Sequence, residues 1–460
     1  MKTDEITSQE TDIDTNTSRN SGYLIKWLIL SVIAGLTGSC VVQIFISLLS
    51  MMQNRIAVLG YPAPLWAIAG AVVVGGIIYK IQPDASVEGM PSSIRGIKNE
   101  RLYLSTTFFK FWAALVTIGT FGSGGIVGPL GRVSAGLVSF AGKKCSRISN
   151  FNHEDQRSAA ICGLAAAIGA IFQSPIGGGI FAVEVLHRTR LEYKNIFPGI
   201  LASTTSVLIS KLFGWPGFFS VDVADNFMNI TAVGWLLILA VLTGISGGIF
   251  TRFYEKFSAL IKRRKGNVLL KVMIGSLVAA SIGWVINPEL LGASENMAQA
   301  LFINEKQIVL TGRFTEFHSF GLILIIMAAV KIVITCIAVG SGMSAGFAGP
   351  SALSGMLLGA AASYFLGIEI GSPTYFAFVA AGFSGMIASV INVPLAAAVI
   401  TTELFGLHYS LPAGVAAVIG FQINRTHTIY DIALKNKSLF TGILENGKTK
   451  LSNIKDRIGA

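Results

Sequence analysis

The chain has 460 residues and a formal net charge of +11, and 52% of its residues are apolar whereas only 13% are charged, about half the usual ~25%. Together with a mean hydropathy of +0.65, this composition excludes a soluble enzyme, a disulfide-stapled secreted domain and a nucleic-acid-binding protein. Five segments contain no Asp, Glu, Lys or Arg, and each exceeds the ~20 residues that cross a bilayer as a helix: 27–54, 56–79, 332–368, 370–402 and 404–424. The sequence therefore predicts an all-α polytopic membrane protein.

The chain is predicted to divide into four parts. Residues 1–22 are polar and acidic, which indicates a disordered cytoplasmic tail rather than a signal peptide. Residues 23–225 and 226–435 are predicted to form two membrane repeats, and residues 436–460 a basic cytoplasmic tail. Basic clusters between apolar segments are typical of cytoplasmic loops. They account for the net positive charge without a nucleic-acid partner.

No metal site, cofactor or catalytic group is expected. The four cysteines lie far apart in the sequence, and the five histidines show no metal-ligand spacing. The cysteines are therefore interpreted as small apolar packing residues.

Two glycine clusters stand out in a chain that contains 51 glycines. They are FGSGGIVGP at 121–129 and VGSGMSAGFAGP at 339–350. Most glycines in membrane helices allow close packing, but a helix break at membrane depth is tolerated only where it lines a cavity or is buried in protein. Each cluster therefore predicts an interrupted helix.

The two clusters belong to an internal repeat. A lysine, a glycine and a proline follow one another at spacings of nine and ten residues in each half: Lys110, Gly119 and Pro129, then Lys331, Gly340 and Pro350. Further along, a proline precedes a glutamate by nine residues in each half: Pro175 and Glu184, then Pro394 and Glu403. A duplication with interrupted helices in matching positions predicts a transporter or channel whose site lies between the halves.

The chemistry of such helix breaks favours an anion. A helix that starts at Ile126 or Phe347 has first N–H groups without an intrahelical partner and about half a positive charge at that end. Two such ends that meet would bind an anion without a buried Lys or Arg. A dipole site also suits conduction, because the ion must leave again. The alternative interpretation is that both breaks are kinks for tight packing.

These motifs resemble the CLC family of chloride channels and chloride/proton antiporters over residues 24–435. Gly125-Ile126-Val127-Gly128-Pro129 is similar to the family's G-[KR]-E-G-P motif, and Gly346-Phe347-Ala348-Gly349-Pro350 to its G-x-F-x-P motif, with one extra residue before the proline. A late tyrosine whose hydroxyl faces the central anion in the family matches Tyr430. The anion-binding residues that the resemblance implies are Gly125, Ile126, Val127, Gly128, Phe347, Ala348, Gly349 and Tyr430.

The resemblance also implies the architecture and the partners. The expected fold is CLC-like, with two inverted repeats of tilted and interrupted helices. The expected assembly is a homodimer with one pore per subunit in a prokaryotic plasma (inner) membrane. Small inorganic anions are the expected permeant ligands, and no paired regulatory nucleotide-binding domains are expected.

Two departures from the family concern proton coupling. The gating glutamate, third in G-[KR]-E-G-P, is replaced here by Val127, and the inner proton-relay glutamate of the antiporters is replaced by Val185. Valine can neither compete with an anion nor carry a proton. The sequence therefore predicts passive conduction of chloride. The alternative is chloride/proton antiport through non-standard proton carriers, Glu88 or Glu184.

Glu88 is itself a departure from the family. The family's G-S-G-I-P motif supplies a serine hydroxyl to the central anion, and Val87-Glu88-Gly89-Met90-Pro91 places Glu88 on that serine. An ionised carboxylate near chloride would repel it strongly in a low dielectric. Either Glu88 points away from the anion, or it is protonated, or a short deletion shifts the alignment.

The other charged residues of the repeat are expected to be structural. Glu184 and Glu403 lie deep in apolar sequence, where an acid is often functional, but their recurrence favours caps that accept hydrogen bonds from backbone or from a nearby cation. Lys110 and Lys331 are interpreted as anchors at helix ends.

An intramembrane protease is the rival from a different class. Residues 342–346 match G-x-S-x-G, with Ser344 as the serine, and residues 382–385 match G-x-S-G, with Ser384 and a downstream His408. A hydrolase elbow needs a strand before its serine and a His/Asp partner. The first match instead lies between apolar helices, so the sequence does not predict an enzyme.

Overall fold

A computed structural model describes residues 2–81, 89–98, 102–145, 153–186, 192–215, 217, 232–264, 266–303 and 319–432, with side chains from Ile25 onward. Glu88 and the tail 436–460 lie outside the described residues.

The regular secondary structure of the described residues is helical apart from one isolated bridge, and the first half contains eight helices. They are α1 (Lys2–Leu59), α2 (Ala63–Gly76, which continues as a π-helix at Ile77–Ile81), α3 (Gly89–Lys98), α4 (Leu104–Gly119), α5 (Val127–Cys145), α6 (His153–Phe172), α7 (Pro175–Glu184) and α8 (Tyr193–Leu212).

The second half of the described chain contains eight more helices. They are α9 (Val233–Arg263), α10 (Val268–Ile286), α11 (Glu295–Ile303), α12 (Phe320–Ser341), α13 (Ala348–Phe365), α14 (Pro373–Ile391), α15 (Pro394–Phe405) and α16 (Ser410–Asn424). Short 3₁₀ turns lie at Pro288–Leu290 and Leu407–Tyr409.

Among the described residues, five helices are long and apolar enough to cross a bilayer. They are Ile25–Leu59 of α1 together with α9, α10, α12 and α14. Helices α1, α9 and α10 expose large apolar side chains, which is how a lipid-facing surface is built. Helix α14 is almost wholly covered by other helices. The chain is therefore a multi-pass membrane protein with a protein-covered centre.

The two halves repeat one another helix by helix. Helices α1–α8 correspond in order to α9–α16, and the packing within each half also repeats: α5 packs on α6 and α13 on α14, α6 on α8 and α14 on α16, α1 on α8 and α9 on α16. Between the halves, corresponding helices meet, since α2 packs on α10, α5 on α13 and α7 on α15. Contacts between equivalent elements are expected where two repeats are related by a two-fold axis.

The ends of several helices follow local sequence rules. Proline occupies the first position of α7, α14 and α15, where its fixed φ suits a helix and its missing N–H removes no intrahelical bond. Ser372 caps α14 by accepting a hydrogen bond from the N–H of Tyr375 at 3.2 Å, as short polar residues commonly do at this position.

Helix α1 differs from the sequence-based expectation at its start. Its backbone is helical from Lys2, whereas a disordered tail is predicted for residues 1–22. Each residue added to an existing helix forms one more backbone hydrogen bond. The apolar part from Ile25 onward therefore supports helical backbone in the polar segment before it.

Candidate anion site

The two glycine clusters form loops that pair with each other at the boundary between the halves. The N–H of Gly125 donates to the carbonyl of Gly346 at 2.7 Å, and the N–H of Gly346 donates to the carbonyl of Gly125 at 2.7 Å. These bonds form an antiparallel bridge. Gly346 lies 221 residues after Gly125, the same offset that separates Pro129 from Pro350, so each glycine pairs with its own duplicate.

Glycine is required on both sides of this bridge because the two loops approach at backbone distance. A Cβ on Gly346 would lie 3.0 Å from the oxygen of Gly125 and 3.1 Å from the nitrogen of Gly128. A Cβ on Gly125 would lie 2.9 Å from the nitrogen of Gly349. The first turn of each helix therefore lies against the loop of the other half.

Helices α5 and α13 begin directly after the bridge. They start at Val127 and Ala348, one residue later than the predicted starts at Ile126 and Phe347, which precede the helices instead. The offset arises because the first intrahelical bonds are donated by Leu130 to Ile126 and by Ser351 to Phe347, so these carbonyls belong to the flanking positions.

Backbone N–H groups at the two helix starts lack protein acceptors. Within the described residues, no atom accepts a hydrogen bond from the N–H groups of six residues: Ile126, Val127, Gly128, Phe347, Ala348 and Gly349. All but Gly349 are buried. More than nine in ten buried backbone N–H groups in proteins are hydrogen-bonded, and leaving one unpaired costs ~1–3 kcal/mol. A cluster of such donors at two helix dipoles fits an anion.

A third helix start abuts the same place. Helix α3 begins at Gly89, and a Cβ there would lie 2.2 Å from the nitrogen of Pro129 and 2.3 Å from the carbonyl carbon of Gly128. Met90, next in α3, is buried, and its nitrogen lies 2.9 Å from the Cβ position of Gly128. The start of α3 thus packs on the first turn of α5. Glu88, the residue before α3, is outside the described residues.

Lys331 holds the first loop from the opposite half. Its Nζ is fully buried and donates to Ser123 Oγ at 3.1 Å, Ser294 Oγ at 2.7 Å and the carbonyls of Leu290 and Gly292 at 2.9 and 3.1 Å. Gly292 also accepts a hydrogen bond from Gly124 at 3.1 Å. Four oxygen acceptors satisfy the ammonium group and fasten the loop before α5 to α12.

Lys110, in the first half, makes the equivalent contact with a loop of the second half. Its buried Nζ, on α4, donates to Ser344 Oγ at 2.8 Å in the loop before α13. Ser344 lies six residues before Pro350, as Ser123 lies six before Pro129. The expectation that these lysines anchor helix ends needs correction, because both lie in the body of a helix and anchor loops of the other half. Lysine side chains are long enough to reach across a helix contact.

Phe347 is fixed by aromatic side chains of α9. Its ring centroid lies 4.7 Å from that of Tyr254 and 6.2 Å from that of Phe250, both in edge-to-face geometry, an arrangement that adds ~0.5–1.5 kcal/mol per pair. The phenylalanine side chain therefore points into packing, and only its backbone is available to a ligand.

Tyr430 lies in a single helical turn, residues 429–432, after α16. The residue is 1% exposed, and its hydroxyl has no hydrogen-bond partner among the described residues. A buried hydroxyl without a partner is uncommon, so this group is able to donate to a ligand.

The two positions that carry carboxylates in the family's antiporters are apolar and buried. Val127 is 2% exposed and Val185 is 4% exposed, and both belong to the main hydrophobic core. Val185 directly follows α7, with its N–H donating to the carbonyl of Phe181 at 3.0 Å. Neither position offers a titratable group.

Glu184 and Glu403 cap each other's helices. Both carboxylate oxygens of Glu184, at the end of α7, accept hydrogen bonds from the first turn of α15: Leu395 N–H at 3.0 Å and Ala396 N–H at 2.8 Å. Glu403, on α15, accepts from the first turn of α7: Ile176 N–H at 2.9 Å, Gly177 N–H at 2.9 Å and the Ser174 hydroxyl. The expected capping role is therefore observed for both.

Neither serine of the rival hydrolase motifs is arranged as a nucleophile. Ser384 donates from Oγ to the carbonyl of Ala413 at 2.8 Å, which joins α14 to α16. Ser344 accepts the hydrogen bond from Lys110. Both hydroxyls are used in packing.

Sequence reasoning missed Arg132, a buried cation close to the site. It lies in the second turn of α5 and is 2% exposed. Its Nε donates to Ser92 Oγ at 3.3 Å and its Nη1 to Thr107 Oγ1 at 3.2 Å. The signal was available, because Arg132 is the one charged residue between Val127 and Gly142 and a lone charge in a membrane helix indicates a functional position.

The resemblance to a known family extends over most of this fold. Residues 70–425 match the family model described as voltage gated chloride channel. The chain belongs to this family, the CLC family. Its members are membrane anion channels and transporters rather than enzymes.

Known proteins of similar sequence and structure agree with this assignment. The chain is 27% identical over 409 residues to the uncharacterized protein MJ0305 of Methanocaldococcus jannaschii, which covers 88% of this chain and 95% of that protein. It is 24% identical over 413 residues to a chloride/fluoride channel protein of Pseudomonas syringae pv. tomato, covering 89% and 86%. The crystal structure of a CLC-type fluoride/proton antiporter superposes with a TM-score of 0.75 at 20% identity, covering 89% and 98%. The predicted all-α CLC-like fold is confirmed.

Proposed function

We propose that this CLC-family protein is a passive pathway for chloride or a similar small anion, held by backbone N–H groups at the starts of α5 and α13. The observation that carries the proposal is the set of six N–H groups, from Ile126 to Gly128 and from Phe347 to Gly349, that have no acceptor among the described residues. Helix dipoles favour negative charge at these ends by ~0.3–1 kcal/mol each and by up to ~2 kcal/mol where partly buried.

Tyr430 supports the same proposal. Its buried hydroxyl is a donor without a partner among the described residues, so an anion would satisfy it. Backbone dipoles and a neutral hydroxyl bind an anion without a full charge in direct contact, which leaves the ion free to depart.

Passive conduction is favoured over antiport by what occupies the two proton-transfer positions. Val127 and Val185 are buried and apolar, so they carry no proton. Glu184, one of two alternative carriers, accepts hydrogen bonds from two backbone N–H groups. These bonds give Glu184 a structural role as the cap of α15.

Chloride/proton antiport through Glu88 is the second candidate. It is favoured by the position of Glu88 directly before α3, whose start packs on Gly128 and Pro129. Glu88 is the carboxyl that precedes this junction in the sequence, so it is the residue that an antiport mechanism would use as its proton carrier.

Reconstitution in liposomes with an imposed chloride gradient tests the proposal. A passive pathway moves no protons uphill, and its reversal potential follows the Nernst value of the anion. Uphill proton movement would replace the proposal with antiport. Repeating the assay with bromide, nitrate and fluoride gives the anion preference. The expected homodimer stays a prediction that the mass of the purified protein tests, and the expected plasma-membrane location stays a prediction.

A further inference from the structure

Arg132 is surrounded by the first turns of three helices. It extends from the second turn of α5, and its guanidinium binds Ser92, the fourth residue of α3, and Thr107, the fourth residue of α4. Thr107 Oγ1 itself donates to the carbonyl of Tyr103 at 3.0 Å, so it receives the Arg132 hydrogen bond as an acceptor. Each helix start contributes positive partial charge.

This placement is electrostatically unfavourable without a negative partner. A buried charge is normally paired, and a cation near a helix start is opposed by the dipole. Among the described residues Arg132 forms no ion pair, and both of its hydrogen-bond acceptors are neutral hydroxyls. The guanidinium has five N–H donors, of which these contacts use two.

The three helices that surround Arg132 contain only positive charges. Helices α3, α4 and α5 contain no Asp or Glu, but they contain six cations: Arg95, Lys98, Lys110, Arg132, Lys143 and Lys144. Glu88 and Glu100, which lie in the sequence on either side of α3, are outside the described residues. These three helices therefore bring no acidic residue to the guanidinium.

Arg132 is also close to the candidate anion site. It follows Val127 by five residues, which is ~7.5 Å along a helix at 1.5 Å per residue. It shares the helix face of Gly128, four residues earlier, and Gly128 packs on Met90 at the start of α3. The guanidinium therefore lies one to two turns behind the N–H groups of α5, on the side where α3 joins it.

We propose that Arg132 sets the affinity of the site for small inorganic anions, by adding a full positive charge behind the N–H groups of α5 and α3. The proposal rests on the proposed function and deepens it. Arg132 acts through the field and through the helix junction that it braces, so it is a positioning residue that does not touch the ion. Ser92 and Thr107 hold the guanidinium at this place.

Isothermal titration of the purified full-length protein with sodium chloride, in a gluconate buffer, tests this proposal. The variant Arg132→Gln is expected to bind chloride about tenfold more weakly, which corresponds to ~1.4 kcal/mol. Arg132→Lys keeps the charge and is expected to stay within about threefold of the unmodified protein, a rescue that a purely structural role for the planar guanidinium would not give. Lys143→Gln removes a charge from the exposed far end of the same helix and is expected to change nothing.

A second variant covers the case in which Arg132→Gln does not fold. Ser92→Asp keeps the arginine and places a carboxylate at the acceptor of its Nε, so it cancels the charge inside an ion pair. It is expected to weaken chloride binding about as much as Arg132→Gln.

Two results would overturn the inference, and they are distinguishable. Chloride affinity that is unchanged in Arg132→Gln, or in Ser92→Asp where the first variant is unfolded, would refute the role of Arg132 and leave the proposed function standing. No detectable binding of chloride, bromide or fluoride to the unmodified protein would refute the proposed function, and the inference with it.

Discussion

Gly125 and Gly346 exchange two backbone hydrogen bonds of 2.7 Å across the boundary between the halves. Because each is the duplicate of the other, one contact sets the positions of both helix starts, α5 and α13. Any change that separates the two loops is therefore expected to disturb both ends of the candidate site together.

Gly346→Ala is the direct test of this pairing. Its Cβ would lie 3.0 Å from the carbonyl oxygen of Gly125, and backbone on both sides limits relaxation, so a loss of ~1–3 kcal/mol in unfolding free energy is expected, with a fall in anion flux of about tenfold or more. Thermal unfolding and liposome flux measure the two effects. Gly234→Ala is the control, because nothing lies within 4 Å of its Cβ position; similar losses in both variants would contradict the role of the bridge.

Val127→Glu is expected to slow anion flux at neutral pH and to make it rise as the pH falls. An ionised carboxylate at the first position of α5 would accept hydrogen bonds from the N–H groups that bind the anion. Protonation of this carboxylate would free those N–H groups again. Liposome flux between pH 4.5 and 7.5 measures the change. Val127→Gln has the same shape without the charge and should show no pH dependence. Undiminished flux in Val127→Glu at neutral pH would place the anion pathway elsewhere.

Lys331→Met is expected to lower the free energy of unfolding by ~1–3 kcal/mol for each buried acceptor that it leaves unpaired. It removes the hydrogen bonds of Nζ and leaves buried acceptors on Ser294 and Leu290 without this donor, whereas the carbonyl of Gly292 still accepts from Gly124. Thermal unfolding in detergent is the measurement. Lys211→Met, at an exposed lysine of α8, should retain the stability of the unmodified protein. Equal stability of both variants would show that Lys331 does not stabilise the loop before α5.

Glu184→Gln is expected to destabilise the protein by ~1–3 kcal/mol while leaving proton movement in the flux assay unchanged. An amide offers one acceptor oxygen where two N–H groups, of Leu395 and Ala396, now each bind a carboxylate oxygen. Glu255→Gln, at an exposed site on α9, serves as the control. A changed pH profile of flux at unaltered stability would instead identify Glu184 as a proton carrier.

Glu88→Gln separates passive conduction from antiport. If the pathway is passive, the pH profile of anion flux stays as it is in the unmodified protein, because no proton step depends on this carboxyl. A flattened profile would assign Glu88 as the proton carrier and favour the antiport alternative. Glu100→Gln, in the next interhelical segment, controls for the loss of one negative charge.

The fold and the position of the candidate site could be predicted because both depend on spacing within the chain. Uncharged segments longer than a bilayer crossing predicted the apolar part of α1 and the whole of α14, whereas α9, α10 and α12 contain charged residues and lie wholly or partly outside those segments. The recurring Lys–Gly–Pro spacing located both glycine loops. Helix starts were predicted within one residue, at Ile126 and Phe347, because Gly and Pro constrain the backbone directly.

The contacts that hold the site together could not be predicted in the same way. Ser123 and Ser344 bind lysines 208 and 234 residues away in the sequence. No local sequence pattern predicts which distant group will form a hydrogen bond with a given hydroxyl. Arg132 was overlooked although it is a lone charge in apolar sequence, because it belongs to no repeat or motif. Its role depends on how α3 and α4 pack against it.

The reciprocal caps on α7 and α15 have a consequence for how the protein responds to halide concentration. At these two helix starts a tethered carboxylate, Glu403 or Glu184, already satisfies the first-turn amides, and a covalently attached anion cannot be diluted or exchanged. A rise or fall in salt concentration therefore leaves this pair of ends unaffected, and under the proposed function the mobile ions act on the chain at α5 and α13.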